Sequence, residues 1–265
     1  MRNDRLLEVA VKAAHTGGKI LLRNWGKLRA GQIQKKGKRD WVTDVDRASE
    51  RAILQVIRKA YPEHSIRAEE SAPEASGRDQ WFIDPLDGTV NYVHTFPFFA
   101  VSIAFAHNEV LEAGVVFDPV RKELFTARRG HGAWLNGNRI RVSNVRTFEE
   151  SMLATGFPFR ARGLVDVYLK SFRRVFMETG SIRRAGSAAM DLAYTACGRM
   201  DGFWEMALSS WDMAAGALLI QEAGGKVSDF LGGQDYLTTG HIAAGNASLH
   251  PRLVKMLTPI FRGKM

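Results

Sequence analysis

The segment Trp81-Phe-Ile-Asp84-Pro85-Leu86-Asp87-Gly88-Thr89 holds the residues best suited to chemistry. Its three leading apolar residues predict a buried strand that ends at Asp84, and Pro85 interrupts the ladder. Asp87 follows across a tight turn closed by Gly88. Two carboxylates held close repel, so such a pair calls for a proton or a cation between them. Hard oxygen donors with no histidine beside them suit Mg²⁺. An Asp-Pro-x-Asp-Gly turn with both carboxylates in solvent would read the same locally.

Three further acidic stretches stand out. Glu69 and Glu70 end an extended stretch and enter a loop at Ser71. Asp212, in Trp211-Asp-Met-Ala-Ala-Gly216, begins a helix rich in small residues, where an acid also favours the helix dipole. Thr43-Asp-Val-Asp46 is a capping-box variant with Asp46 at the third helical position. Taken singly, each has a structural explanation, and local sequence does not say that they converge.

The elements that must position these groups fall into two halves. Apolar spacing predicts helices over 5–24 and 44–60, the first carrying Gly17-Gly18 in its middle. Strand texture follows at 66–69, 81–84, 98–105, 110–117 and 123–127, with Asn136-Gly137-Asn138 as a turn. Beyond about residue 145 the pattern alternates. Strands are expected at 152–155, 202–206, 226–229 and 242–245, and helices at 165–177, 187–197, 212–223 and 249–257. The expectation is an α+β chain with much antiparallel sheet, in halves 1–150 and 151–265 that form one compact unit.

Composition bounds the function. The chain has 265 residues, 45% hydrophobic and 25% charged, which excludes a disordered protein. Its single cysteine, Cys197, excludes an intrachain disulfide and a cysteine zinc cluster, and reads as a small buried hydrophobe. No apolar run is long enough to span a membrane, and the charged N-terminus has no signal-peptide core, so a cytoplasmic location is expected. The net charge is +9. Residues 1–40 carry eleven Lys/Arg against three Asp/Glu, densest at Lys35, Lys36, Lys38 and Arg39. Arg160, Arg162, Lys170, Arg173, Arg174, Arg183 and Arg184 form a second basic stretch. Basic surfaces draw phosphorylated metabolites, nucleic acids or acidic proteins, although many such charges only solubilise.

Four motifs together resemble the inositol monophosphatase family. They are Asp84-Pro-Leu-Asp87-Gly-Thr89-x-Asn91, Trp211-Asp212-x-Ala-Ala-Gly216, Glu69-Glu70-Ser71 and Thr43-x-x-Asp46. Lys35-Lys36-Gly37, Thr155-Gly-Phe-Pro158, Arg183-Arg-x-Gly186-Ser-Ala-Ala189 and Asp201-Gly-Phe-Trp-Glu205 extend the match over nearly the whole chain, closest to the bacterial branch.

The resemblance implies the layered α-β-α-β-α sandwich of sugar phosphatases, commonly a homodimer. It implies Mg²⁺-dependent hydrolysis of a phosphate monoester, typically myo-inositol 1-phosphate, with two or three ions per site and inhibition by Li⁺. The ligands would be Glu69, Asp84, the Leu86 carbonyl, Asp87 and Asp212. Thr89 and Asp46 would hold and polarise the attacking water, and Glu70 would act through water near the metals. Gly88 and Thr89 amides would bind phosphate. Gly186, Ser187, Ala188, Glu205 and Asp212 would lie beside the inositol ring, with Arg183 near it.

Two departures are visible. Val90 and Ala68 stand where Thr and Gly are common, and neither removes an expected ligand. Bacterial members are also implicated in transcription antitermination as partners of RNA polymerase–associated factors. The Arg183-Arg184 pair and the basic N-terminal region could serve such a contact, but they lack the aromatic interleaving of a single-strand platform. His94 reads as structural, Trp81 and Trp204 as core, and Phe96-Pro-Phe-Phe99 as the entry to a strand.

Overall fold

A computed structural model describes residues 2–28, 31, 33–37, 40–71, 77–159 and 161–263. Of the basic stretches, Lys38, Arg39 and Arg160 lie outside the described residues. The fold is five layers, α-β-α-β-α.

The first layer is α1 (Arg2–Asn24) against α2 (Asp44–Ala60), joined by a hairpin of β1 (Ile33–Gly37) and β2 (Asp40–Thr43). Gly17 and Gly18 do not break α1. A Cβ on Gly17 would lie 2.7 Å from Ser49 Oγ, and one on Gly18 2.6 Å from the Phe117 ring, so the pair lets α1 touch α2 and the sheet at once.

The second layer is a seven-stranded sheet of β3 (Ser65–Ala68), β4 (Asp79–Asp87), β5 (Ala100–His107), β6 (Val110–Asp118), β7 (Glu123–Arg128), β8 (Gly132–Leu135) and β9 (Asn138–Ile140), in that spatial order. Only β3 and β4 run parallel. Asn136 and Gly137 close the β8–β9 hairpin with φ of 49° and 79°, the left-handed pair that a two-residue turn demands. A single turn, α3 (Thr89–Val93), follows β4.

The second half adds β10 (Met152–Thr155), α4 (Val165–Phe176), β11 (Ser181–Arg183), α5 (Ala188–Ala196), β12 (Gly202–Glu205), α6 (Ser210–Glu222), β13 (Lys226–Ser228), α7 (Tyr236–Thr239), β14 (Ile242–Gly245) and α8 (Leu249–Phe261). Its five strands form a mixed sheet in the order β11-β10-β12-β14-β13. Helices α5 and α6 lie between the two sheets, and α4 and α8 cover the far side. Helix α6 is apolar all round and buried from Asp212 to Ile220, as a central-layer helix must be. The central core joins Phe82, Val116 and Phe125 of the first half to Met190, Leu192, Leu218 and Phe203 of the second.

Most expected elements form, with shifted ends. The strand expected from 98 begins at Ala100, because Phe96–Phe99 makes an irregular loop that buries Phe98 and Phe99 and exposes Phe96. Helix α6 starts two residues early, at Ser210, with Ser209 as its N-cap. Strands β1, β2 and β11 and helix α7 fall outside the expected elements. Each has three to five residues, too short for a periodic apolar pattern to stand out.

A carboxylate-lined cavity as candidate active site

The end of β4 builds the centre. Residues three apart on a regular strand face opposite sides of the sheet. Here Asp84 pairs with Ser102 and Asp87 with Ala100, so three steps on β4 match two on β5. That bulge, placed at Pro85, brings Asp87 round to the side of Asp84. Asp212 reaches the same point from the first turn of α6. Oxygens of Asp84, Asp87 and Asp212 lie within 4.8 Å of one another.

Each of these acids is pinned through one oxygen. Asp84 Oδ1 accepts from the Leu86 N–H at 2.9 Å. Asp87 Oδ2 accepts from the Ser187 hydroxyl at 2.5 Å and the Ala189 N–H at 2.7 Å, at the start of α5. Asp212 Oδ2 accepts from the Ser209 N–H at 2.8 Å. Complete burial pushes the Asp84 carboxyl well above the usual carboxylate range, and Glu69, Asp87 and Asp212 push it further. All three of these charges are negative. Crowded hard oxygens that repel one another fit a divalent cation such as Mg²⁺.

Beside the acids sits a hydroxyl–carboxylate pair. Thr89 Oγ1 lies 3.1 Å from Asp46 Oδ1 and 3.1 Å from the Leu86 carbonyl. Asp46 is also the third residue of α2. Its Oδ2 accepts from the Thr43 N–H at 3.0 Å and the Thr43 hydroxyl at 2.5 Å, closing a capping box. Burial lifts the Asp46 carboxyl to about 6, against the hydrogen bond from Thr43 and with added repulsion from Glu70.

Gly88 supports the turn between these groups. Its φ is +94°, and a Cβ there would lie 3.0 Å from the Phe98 carbonyl. Asn91 then ties the halves together, donating to Phe98 O at 2.7 Å and Ala185 O at 2.9 Å.

The groups open onto a cavity of about 580 Å³. Glu69, Asp84, Leu86, Asp87, Gly88, Thr89, Gly186, Ser187, Ala188, Glu205 and Asp212 all line it. Asp46 reaches it through Thr89, and Glu70 is set back, its N–H donating to Glu50 Oε2 at 2.8 Å. Val90 borders it as an exposed residue, and Ala68 is buried within β3. Arg183 does not line the cavity. Its guanidinium turns back to Ser181 Oγ and the Ile182 carbonyl. Arg184 lines it instead, stacked over Phe157 and Phe159 at 5.4 and 5.2 Å. Arg183 is the last residue of β11 and Arg184 lies just past it, and only the second of the pair lines the cavity.

Sequence reasoning missed Asp191. It is the one acid in the otherwise apolar stretch Ala188-Ala-Met-Asp-Leu-Ala193, and that isolation was the available signal. It lines the cavity, it is 1% exposed, and burial pushes its carboxyl well above the usual range, with Glu205 and Asp87 adding to the rise. His94 is exposed and outside the cavity.

Fold and site define a class: a five-layered α/β protein in which both halves deliver carboxylates to one cavity beside a threonine–aspartate pair. The inositol monophosphatase family model matches residues 2–260. The chain is 50% identical over 260 residues to the Nus factor SuhB of Pseudomonas aeruginosa, covering 96% of each. Among solved structures, it matches an extragenic suppressor protein suhB of Bartonella henselae with TM-score 0.91 and 43% identity, covering 96% of this chain and 98% of that one. An inositol monophosphatase of Anabaena matches with TM-score 0.87 and 39% identity, covering 98% and 97%. The chain belongs to the inositol monophosphatase family. Among the described residues no helix is long and apolar enough to cross a membrane.

Proposed function

We propose that the protein is a Mg²⁺-dependent phosphomonoesterase acting on myo-inositol 1-phosphate and related polyol phosphates. The observation that carries this reading is the meeting of Asp84, Asp87 and Asp212 oxygens within 4.8 Å, next to a Thr89 hydroxyl 3.1 Å from Asp46. A phosphate ester is anionic and would be repelled by these acids alone. Bound magnesium, held by Glu69, Asp84, the Leu86 carbonyl, Asp87 and Asp212, would neutralise the ester and acidify water.

The residues do the rest. A hydroxyl has one proton to donate. Given to Asp46, it leaves the Thr89 oxygen as an acceptor for an attacking water and frees the Leu86 carbonyl for another partner. Asp46, with its carboxyl near 6, is ionised at neutral pH and is poised to share the proton. Gly88 and Thr89 amides would hold the phosphate. Gly186, Ser187, Ala188 and Glu205 would face the polyol, and Glu205 suits hydroxyls because a carboxylate accepts their hydrogen bonds. Glu70 would act through water near the metals, and its charge also bears on Asp46.

The test is phosphate release from myo-inositol 1-phosphate with and without Mg²⁺, for the wild type and Asp87→Asn. Turnover that needs Mg²⁺ and collapses in the variant is expected, with inhibition by Li⁺. No turnover on this ester or a panel of sugar phosphates would overturn the reading.

Two partner readings accompany it. A homodimer is favoured by the apolar residues Val165, Leu169 and Phe176 of α4 and its C-cap Met177, 43–67% exposed and continuous with Phe157 and Phe159. Light scattering on the wild type and Leu169→Asp tests it. Association with the transcription machinery is favoured by the relatives named Nus factor and by the exposed Arg173, Arg174, Arg183 and Arg184. Salt-sensitive retention of purified RNA polymerase tests that.

A further inference from the structure

Asp191 has no assigned task in the chemistry above, and its surroundings need explanation. Its backbone is fully used: the N–H donates to Ser187 O at 3.0 Å, and the carbonyl accepts from Thr195 Oγ1 at 2.8 Å. Its carboxyl is not. Both oxygens are buried without a hydrogen-bond partner among the described residues. A buried carboxyl left unpaired destabilises the fold, and an apolar side chain would suit a helix walled by Ala189, Met190, Leu192 and Ala193 far better.

Its position supplies the reason. Asp191 follows Ser187 by four residues, so the two share a helix face. That face is turned to the site, because the Ser187 hydroxyl donates to Asp87. Asp191 also borders the cavity, and among the charges that act on it Glu205, at the end of β12, acts most strongly. The strongest of these charges are negative, with Arg184 opposing them but making no hydrogen bond to Asp191, so an anionic phosphate is a poor partner for the carboxyl. A hydroxyl both donates and accepts, carries no charge, and can bridge two carboxyl groups.

We propose that Asp191 is a specificity-determining residue whose carboxyl, with Glu205, receives a hydroxyl of the polyol half of the ester. This rests on the phosphomonoesterase reading above. Asp87 is anchored by the Ser187 and Ala189 donors of α5, and Asp191 lies one turn further along the same helix, so α5 fixes the distance from the phosphate end to the hydroxyl end.

The experiment compares kcat/KM for myo-inositol 1-phosphate with that for phenyl phosphate, which has no hydroxyl to offer, at the Mg²⁺ concentration that saturates the wild type. In Asp191→Ala the ratio of the two is expected to fall about tenfold, mainly through KM for the polyol ester. Asp191→Asn keeps a donor and an acceptor, and is expected to restore most of the ratio. Equal losses on both esters, or an unchanged ratio in a folded Asp191→Ala, would overturn the assignment. So would a ratio that recovers merely on raising Mg²⁺, since that would make Asp191 a cation ligand. Should the alanine chain not fold, Asp191→Glu serves: a displaced carboxyl must change the ratio, and an unchanged one overturns the assignment. A wild type that hydrolyses neither ester removes the phosphomonoesterase reading itself. One that hydrolyses both with an unresponsive ratio removes only Asp191.

Discussion

The starts of α2 and α6 are built alike and are used differently. Each has an aspartate at the third helical position accepting from the backbone N–H of its N-cap residue, Thr43 in one and Ser209 in the other. At α2 the second oxygen of Asp46 meets the Thr89 hydroxyl, so in the proposed chemistry the cap is one end of a proton path. At α6 Asp212 faces Asp84 and Asp87, so the cap becomes one wall of an acidic cluster that could hold a cation. The same local device acquires a function from whatever the fold carries up to its far side.

The most severe way to break this comparison is Asp212→Asn. The amide oxygen can still accept from Ser209, but the charge is lost. Mg²⁺-dependent phosphate release should fall by on the order of a thousandfold. The melting temperature in chelator should rise, because repulsion on Asp84 is eased. A fall in melting temperature would instead rank the cap above the charge.

Asp46→Asn should cost less, about a hundredfold in kcat, because the cation centre is left whole. Its pH profile sharpens the distinction. Asp46 is protonated below about 6 and then no longer serves as an ionised acceptor for Thr89, so kcat in the wild type should decline as pH falls through about 6. The Asn variant should lack that limb. The stability sign is opposite. Because the folded carboxyl is raised, its stabilisation is complete below the ordinary carboxylate value and is lost as pH rises through about 6. Melts in chelator across pH 4–8, wild type minus Asp46→Asn, isolate this term. His250, held near 4 by burial, works the other way in both proteins and cancels.

The mildest change is Thr43→Ala. It removes the hydroxyl that accepts from Val45 N–H and Asp46 N–H and donates to Asp46, and should lower stability by about 1 kcal/mol by chemical denaturation. A loss near zero would show that Asp46 holds its place without the box.

These two starts also show where sequence reading stops. The α2 cap is visible in four residues because turn chemistry is written locally, whereas the helix expected from Asp212 starts at Ser210 under a Ser209 cap, and the strand expected to end at Asp84 runs on through a bulge to Asp87. The β8–β9 turn is as legible as the α2 cap, for the same reason. That Asp212 reaches Asp84 depends on α6 lying between two sheets, a contact across more than a hundred residues with no local signature. The choice of Arg184 over Arg183 turns on where a three-residue strand with no apolar pattern ends. Asp191 was detectable as a lone acid in an apolar helix, but only the cavity gives that oddity a meaning.

The pinned aspartates bear on which ion the centre would accept. Each of the three has one oxygen already engaged by a backbone or hydroxyl donor. Calcium is large and is commonly straddled by both oxygens of a carboxylate, whereas magnesium takes carboxylates one oxygen at a time in a tight octahedron. Straddling at this centre would mean competing with the Leu86, Ser187, Ala189 and Ser209 donors. The donors that orient the acids thus limit their denticity, and so set a size filter on the ion without adding a single ligand.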